Sequence, residues 1–150
     1  MPYGMISPRR DGGCETVGEK GSKLEDPERP RRVLIADDDE DTRMLLAEML
    51  SEAPSAELVG SAKDGDEAIK LAGEIEVDVV ILDWVMPGSG GSGAAAAIKA
   101  SHPEIAIIAL TGMDATVASY EMMSAGAVGF LEKGCSQEQL IDAIDAATRW

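Results

Sequence analysis

The sequence predicts an α/β fold, a doubly wound parallel sheet of five strands built as five consecutive strand–helix units, (βα)5. Three observations predict it. From Val33 onward, short apolar runs alternate with longer stretches of helical periodicity, the pattern of parallel strands joined by right-handed helical crossovers. Four of the five runs end on or beside a carboxylate, hydroxyl or ammonium group, and ligands of open parallel sheets bind beyond the carboxyl ends of the strands. The chain has 150 residues, which suits one such domain plus a tail.

The elements follow in order. Residues 1–31 are rich in Gly, Pro and charge and poor in aliphatic residues, and are expected to be a disordered tail. The domain is expected to span 32–150. Val33-Leu34-Ile35-Ala36 forms the first strand and ends at Asp37-Asp38. Glu40 to Glu52 is helical, with Met44, Ala47 and Leu50 at helical spacing, and Pro54 stops it. Ala56 to Ala62 is a short strand, followed by a turn at Asp64-Gly65 and a helix from Asp66 to Gly73. Val77 to Asp83 is the most apolar run and therefore the central strand. A Gly/Ser loop from Pro87 to Gly93 leads to a helix from Ala94 to Ala100. Ile105 to Thr111 is the fourth strand. Asp114 suits the N-cap of a helix ending at Ser124, and Gly126 closes it. Ala127 to Lys133 is the fifth strand. Ser136-Gln137-Glu138-Gln139 is a capping box, and the helix it opens offers Leu140, Ile141, Ile144 and Ala147 to the core.

Composition excludes several classes. The core must be aliphatic, because the chain has one Phe, two Tyr and two Trp. Cys14 and Cys135 form no CxxC pair, and the single His102 has no second His with which to share a metal, so neither a disulfide framework nor a zinc site is expected. The net charge is −15. The first 32 residues hold seven basic and six acidic residues, which leaves six basic and 22 acidic for the rest. Such a surface repels phosphate backbones and anionic membranes, so direct binding of nucleic acid or membrane is not expected. No apolar run is long enough to span a bilayer, and the first thirty residues have no apolar export core, so the expected location is the cytoplasm.

The strand ends carry the chemistry. Carboxylates on neighbouring strands, about 4.8 Å apart, can converge on one ion. Hard oxygen ligands suit Mg²⁺, which is held by one or two carboxylates with waters and phosphate oxygens. An Asp at a strand tip can act as a nucleophile. A Lys opposite it supplies a positive clamp, and a Thr hydroxyl can donate to an anionic oxygen. Alone, Asp37, Asp38 and Asp39 would be ordinary acids at a helix N-terminus; it is their coincidence with Asp83 at a shared sheet edge that argues for a site. Gly88-Ser89-Gly90-Gly91-Ser92-Gly93 contains GxGxxG. It follows the third candidate strand rather than the first, so a flexible loop is expected rather than a dinucleotide site.

Four pieces in this order, Val-Leu-Ile-Ala-Asp-Asp-Asp-Glu-Asp from Val33, Leu-Asp-Trp-Val-Met-Pro from Leu82, Ala-Leu-Thr-Gly from Ala109 and Gly-Phe-Leu-Glu-Lys from Gly129, resemble the receiver domain of two-component response regulators. The resemblance covers about residues 32–149. It implies a flavodoxin-like strand order, 2-1-3-4-5, and a single-domain response regulator, since the sequence ends after the fifth helix. It implies that Asp83 accepts a phosphoryl group from the phosphohistidine of a sensor kinase or phosphotransfer protein. Asp37, Asp38 and Asp83 would hold Mg²⁺ with the Val85 backbone carbonyl, and Lys133 would contact the phosphoryl group. Thr111 and Phe130 would be the switch pair, reshaping the face of the fourth helix, fifth strand and fifth helix for a downstream protein or a second copy of the chain. Tyr120, Met122 and Trp150 are candidate exposed features of that face. On this reading the chain is a signalling module rather than an enzyme, although it assists its own phosphorylation and dephosphorylation.

There are departures from the family pattern. Gly134 follows Lys133 where many receivers have Pro, so a trans bond is expected. Phe130 stands in place of the frequent Tyr. Val85 and Met113 put apolar side chains where polar ones guide a hydrolytic water, which predicts a long-lived phosphoaspartate. An enzyme of haloacid-dehalogenase type would use a similar Asp, Thr, Lys and Mg²⁺. Its DxDx[TV] signature fails here, because the fifth position is Asp41, and Asp142 and Asp145 are expected on a helix rather than at a strand end.

Overall fold

Five parallel strands in the order β2-β1-β3-β4-β5 form a single sheet, in a computed structural model that describes residues 29–87, 90–112 and 115–149. The elements are β1 (Arg31–Ala36), α1 (Glu40–Ser51), β2 (Ala56–Ala62), α2 (Gly65–Glu74), β3 (Val79–Asp83), α3 (Gly90–Ser101), β4 (Ala106–Thr111), α4 (Ala115–Ser124), β5 (Gly129–Glu132) and α5 (Gln137–Ala147). This is the expected doubly wound, flavodoxin-like arrangement. Residues 1–28 of the expected tail, the Asp114 cap, Met113, Trp150 and the Gly88-Ser89 part of the loop lie outside the described residues.

Alternation of side chains along the buried strands divides the core into two layers. Leu34, Ala36, Val80, Leu82, Ile107 and Ala109 face α2, α3 and α4, meeting Ala68, Ala72, Ala94, Ile98 and Met122. Val33, Ile35, Val79, Ile81, Ile108 and Leu110 face α1 and α5, meeting Leu46, Leu50, Leu140 and Ile144. Both faces of β1, β3 and β4 are therefore covered. This explains why these strands appear in the sequence as continuous apolar runs rather than as alternating ones.

Local signals set most boundaries. Asp39 caps α1, its carboxylate accepting the Asp41 N–H at 3.3 Å and the Thr42 hydroxyl at 2.7 Å. Asp64 caps α2 by accepting the Glu67 N–H at 2.8 Å, so the helix begins at Gly65. The Ser136–Gln139 capping box forms in both directions, at 3.1 and 2.9 Å. The Lys133–Gly134 bond is trans, and Gly134 has φ +92°, a conformation that favours glycine.

Four expectations are corrected. Strand β1 begins at Arg31, two residues before the apolar run, because Arg31 and Arg32 already pair with Ala56 and Glu57. Met44 is exposed and Leu46 takes its place in the core, since α1 presents Leu46 and Leu50, one turn apart, to the sheet. Met122 is fully buried rather than exposed, because it closes the layer above Trp84 and Ile107. Helix α3 begins at Gly90, within the glycine cluster read as a flexible loop. The Gly91 N–H donates to the Trp84 carbonyl at 3.2 Å, which fixes the first turn of α3 against the end of β3.

Candidate functional site

Strand register brings the predicted residues to one level. Ala36 pairs with Leu82, so Asp37 and Asp83 follow at the same height on adjacent strands. Asp83 pairs with Leu110, and Thr111 with Glu132, so Thr111 and Lys133 stand just beyond. The chain departs to opposite sides of β1 and β3, because β2 lies outside β1 while β4 and β5 lie outside β3. The crevice at such a switch point is where open α/β sheets bind ligands.

Asp37 is fully buried, Asp83 is 2% exposed, and Asp38 is exposed at the mouth. The Lys133 ammonium lies 3.2 Å from a carboxylate oxygen of each buried acid. Its own backbone N–H donates to the Thr111 carbonyl at 2.7 Å, which holds β5 and the root of this side chain against β4. Thr111 is itself buried. The loop after β1 is fixed by the Asp39 N–H, which donates to Asp37 Oδ1 at 2.8 Å. The loop after β3 is fixed by the Val85 N–H, which donates to Asp83 Oδ1 at 3.2 Å.

A like charge held this close makes ionisation of a buried carboxylate harder. Burial, and then the neighbouring Asp37 carboxylate, raise Asp83 to about 6 against the opposing pull of the Val85 N–H and Lys133. Burial alone would lower Lys133, but the charges and hydrogen bonds of Asp83 and Asp37 outweigh it and hold the ammonium above its ordinary value. The lysine is thus a permanent cation, and Asp83 is an anion at neutral pH that carries unrelieved electrostatic cost.

The donor set suits a hard cation. One oxygen from each of Asp37, Asp38 and Asp83 lies within 4.8 Å of the others. Asp37 Oδ2 is buried and, among the described residues, has no hydrogen-bond partner, although the ammonium stands 3.2 Å away. A buried carboxylate oxygen left without a hydrogen bond is costly, and a divalent cation on these three oxygens relieves that cost.

Asp37, Asp38, Asp83 and Lys133 therefore converge, Thr111 stands at the adjoining strand end, and Val85, two residues after Asp83, is 72% exposed. Phe130, on the edge strand β5, is 44% exposed. Three contributors were not anticipated. The Arg43 guanidinium donates to the Asp37 carbonyl at 2.6 Å and ties α1 to the acidic loop. Gly91 packs on the backbone after Asp83. Glu121 accepts from the Trp84 indole at 3.3 Å. Each depends on how the chain folds back on itself, across six residues for Arg43, seven for Gly91 and 37 for Glu121.

The family model for the response regulator receiver domain matches residues 33–145. The chain belongs to that family. It is 35% identical over 113 residues to the response regulator GacA of Pseudomonas viridiflava, covering 75% of this chain and 53% of the relative. It is 38% identical over 118 residues to the transcriptional regulatory protein LiaR of Bacillus subtilis, covering 79% and 56%. The chain thus spans about half the length of these relatives. Among solved structures, the signal receiver domain of the response regulator NarL from Mycobacterium tuberculosis superposes with a TM-score of 0.76 at 30% identity, covering 81% of this chain and 99% of that one. The response regulator domain of Thermotoga maritima CheB gives 0.75 at 30% identity, covering 81% and 98%.

Proposed function

We propose that Asp83 accepts a phosphoryl group from the phosphohistidine of a sensor kinase or phosphotransfer protein. One observation carries this reading: a buried carboxylate at the β1/β3 switch point shares a single ammonium with a second buried carboxylate. In the transfer, an Asp83 oxygen attacks phosphorus and the phosphorus–nitrogen bond of the donor breaks. Asp83 is ionised for this above pH of about 6. Lys133 opposes the charge of the incoming group, and the Val85 N–H fixes one Asp83 oxygen while the other stays with the lysine. Asp37, Asp38 and Asp83, with the Val85 carbonyl, are the residues that would hold Mg²⁺. When bound, the ion neutralises charge on the phosphoryl oxygens.

The signal then passes through Thr111 and Phe130. Thr111 shares its strand end with Lys133 through the 2.7 Å backbone bond, and Phe130 is exposed on the neighbouring strand. The exposed apolar side chains Tyr120, Met123, Val128 and Phe130 support a protein partner, or a second copy of the chain, on the face formed by α4, β5 and α5. Within this reading the domain spans 32–150, acts in the cytoplasm as a signalling module, and touches neither membrane nor nucleic acid directly. No helix among the described residues is long and apolar enough to cross a membrane.

The test uses Trp84, which adjoins Asp83 and is largely buried. Beryllofluoride, a phosphoryl mimic, is added with Mg²⁺ while fluorescence is followed in the parent and in Asp83→Asn, both carrying Trp150→Phe to remove background. A response in the parent that Asp83→Asn abolishes is expected. No Asp83-dependent response overturns the reading.

A further inference from the structure

We propose that Glu121 is a positioning residue that ties α4 to the end of the phosphoacceptor strand through the Trp84 indole and thereby sets how readily the domain leaves its resting arrangement. The inference rests on the reading of Asp83 as phosphoacceptor.

Trp84 is bonded directly to Asp83, and its backbone is immobilised on two sides. Its N–H donates to the Leu110 carbonyl at 3.0 Å, and its own carbonyl accepts the Gly91 N–H at 3.2 Å. The ring is 9% exposed and lies in the same apolar layer as Met122 of α4. Its Nε1–H donates to Glu121 Oε1 at 3.3 Å. The neighbours of Glu121 and Met122 on α4, Tyr120 and Met123, are 83% and 63% exposed. Trp84 thus grips the inner side of a helix whose outer side carries apolar surface.

The hydrogen bond is made while Phe130 is turned outward, 44% exposed. A contact made better in one of two arrangements shifts the equilibrium toward that one by its differential strength. On this proposal the Trp84–Glu121 bond is made better in the arrangement described than in the competent one, so a phosphoryl mimic binds more weakly while the competent arrangement is a minor population. Loss of one hydrogen bond to a charged, partly exposed acceptor is expected to raise apparent affinity about three- to tenfold.

The test is calorimetric titration of the full chain with beryllofluoride in saturating Mg²⁺, alongside thermal melting. Glu121→Ala and Trp84→Phe are each expected to bind about three- to tenfold more tightly than the parent. The double variant should match the single ones, because both remove the same bond. Glu121→Gln keeps an acceptor oxygen and should stay close to the parent. Glu121 lies on an exposed face, so its variants should fold. Unchanged or weaker affinity in Glu121→Ala overturns the inference even where melting shifts, since a merely structural bond would move stability alone. Multiplicative effects in the double variant overturn it as well. A parent that does not bind beryllofluoride overturns the phosphoacceptor reading and this inference with it, whereas a parent that binds normally with an unresponsive Glu121→Ala sinks this inference alone.

Discussion

A methyl group on Gly91 would lie 2.5 Å from the Trp84 Cα, with the Asp83 and Trp84 carbonyl oxygens at 2.7 and 2.8 Å. The first turn of α3 rests directly on the backbone that follows the proposed phosphoacceptor. These are main-chain atoms of a sheet edge, so no flexible side chain can give way. Gly91→Ala is expected to destabilise the domain by about 3 kcal/mol or more, the range of severe overpacking. Two other glycines serve as controls. At Gly60 the methyl meets the movable tips of Ile75 and Leu34 at 3.0 Å, and about 1 kcal/mol is expected. At Gly129 it meets nothing within 4 Å, so the change should be neutral or slightly stabilising. Urea denaturation of the three variants gives the ranking; a Gly91→Ala as stable as Gly129→Ala would contradict the close approach.

The sequence makes the strand ends legible and hides what braces them. Runs such as Val79 to Leu82 are covered on both faces, so they are apolar throughout, and the residue that breaks each run marks the ligand edge. That is why Asp37, Asp83, Thr111 and Lys133 emerge from the chain before any coordinates are known. The glycine cluster misleads because glycine serves both mobility and close approach, and only the position of Trp84 in space distinguishes them. Met44 and Met122 mislead for a related reason. Helical spacing names several equivalent faces, and the sheet beneath decides which one is buried. Arg43 and Glu121 were invisible because their partners, the Asp37 carbonyl and the Trp84 indole, lie 6 and 37 residues away.

The raised ionisation of Asp83 has a sign that can be measured. Its folded value is about 6 and its ordinary value 3.8, so between these the folded chain binds the proton more tightly than the unfolded chain. The group's contribution to stability is fully present below pH 3.8 and is lost as pH rises through about 6. Asp39 acts in the opposite direction, lowered by the Thr42 hydroxyl, so the useful quantity is the difference from Asp83→Asn. Without divalent cations, the parent is expected to lose on the order of 3 kcal/mol relative to that variant between about pH 4 and pH 7. Added Mg²⁺ at pH 7 should return more stability to the parent than to the variant. A difference that stays flat across this range would mean that Asp83 is not held in the buried, Asp37-facing position.

The lifetime of a phosphoryl group on Asp83 should follow from Val85. Its N–H is committed to Asp83 Oδ1 at 3.2 Å, while the residue is 72% exposed two positions after the acceptor. Hydrolysis of an acyl phosphate needs a water held in line with the bond that breaks, and an isopropyl group offers that water no hydrogen bond. Val85→Asn adds both a donor and an acceptor at an exposed position, so folding should be unaffected. The N–H that fixes Asp83 is main-chain and survives the change, so phosphorylation itself should be retained. The variant should therefore lose its phosphoryl group faster than the parent by at least about threefold, a small part of what well-placed polar groups contribute to proton and water chemistry. Decay of the phosphorylated protein, followed at fixed pH and Mg²⁺ after removal of the donor, gives the two rates. Equal rates would show that water reaches the phosphoaspartate by a path Val85 does not control.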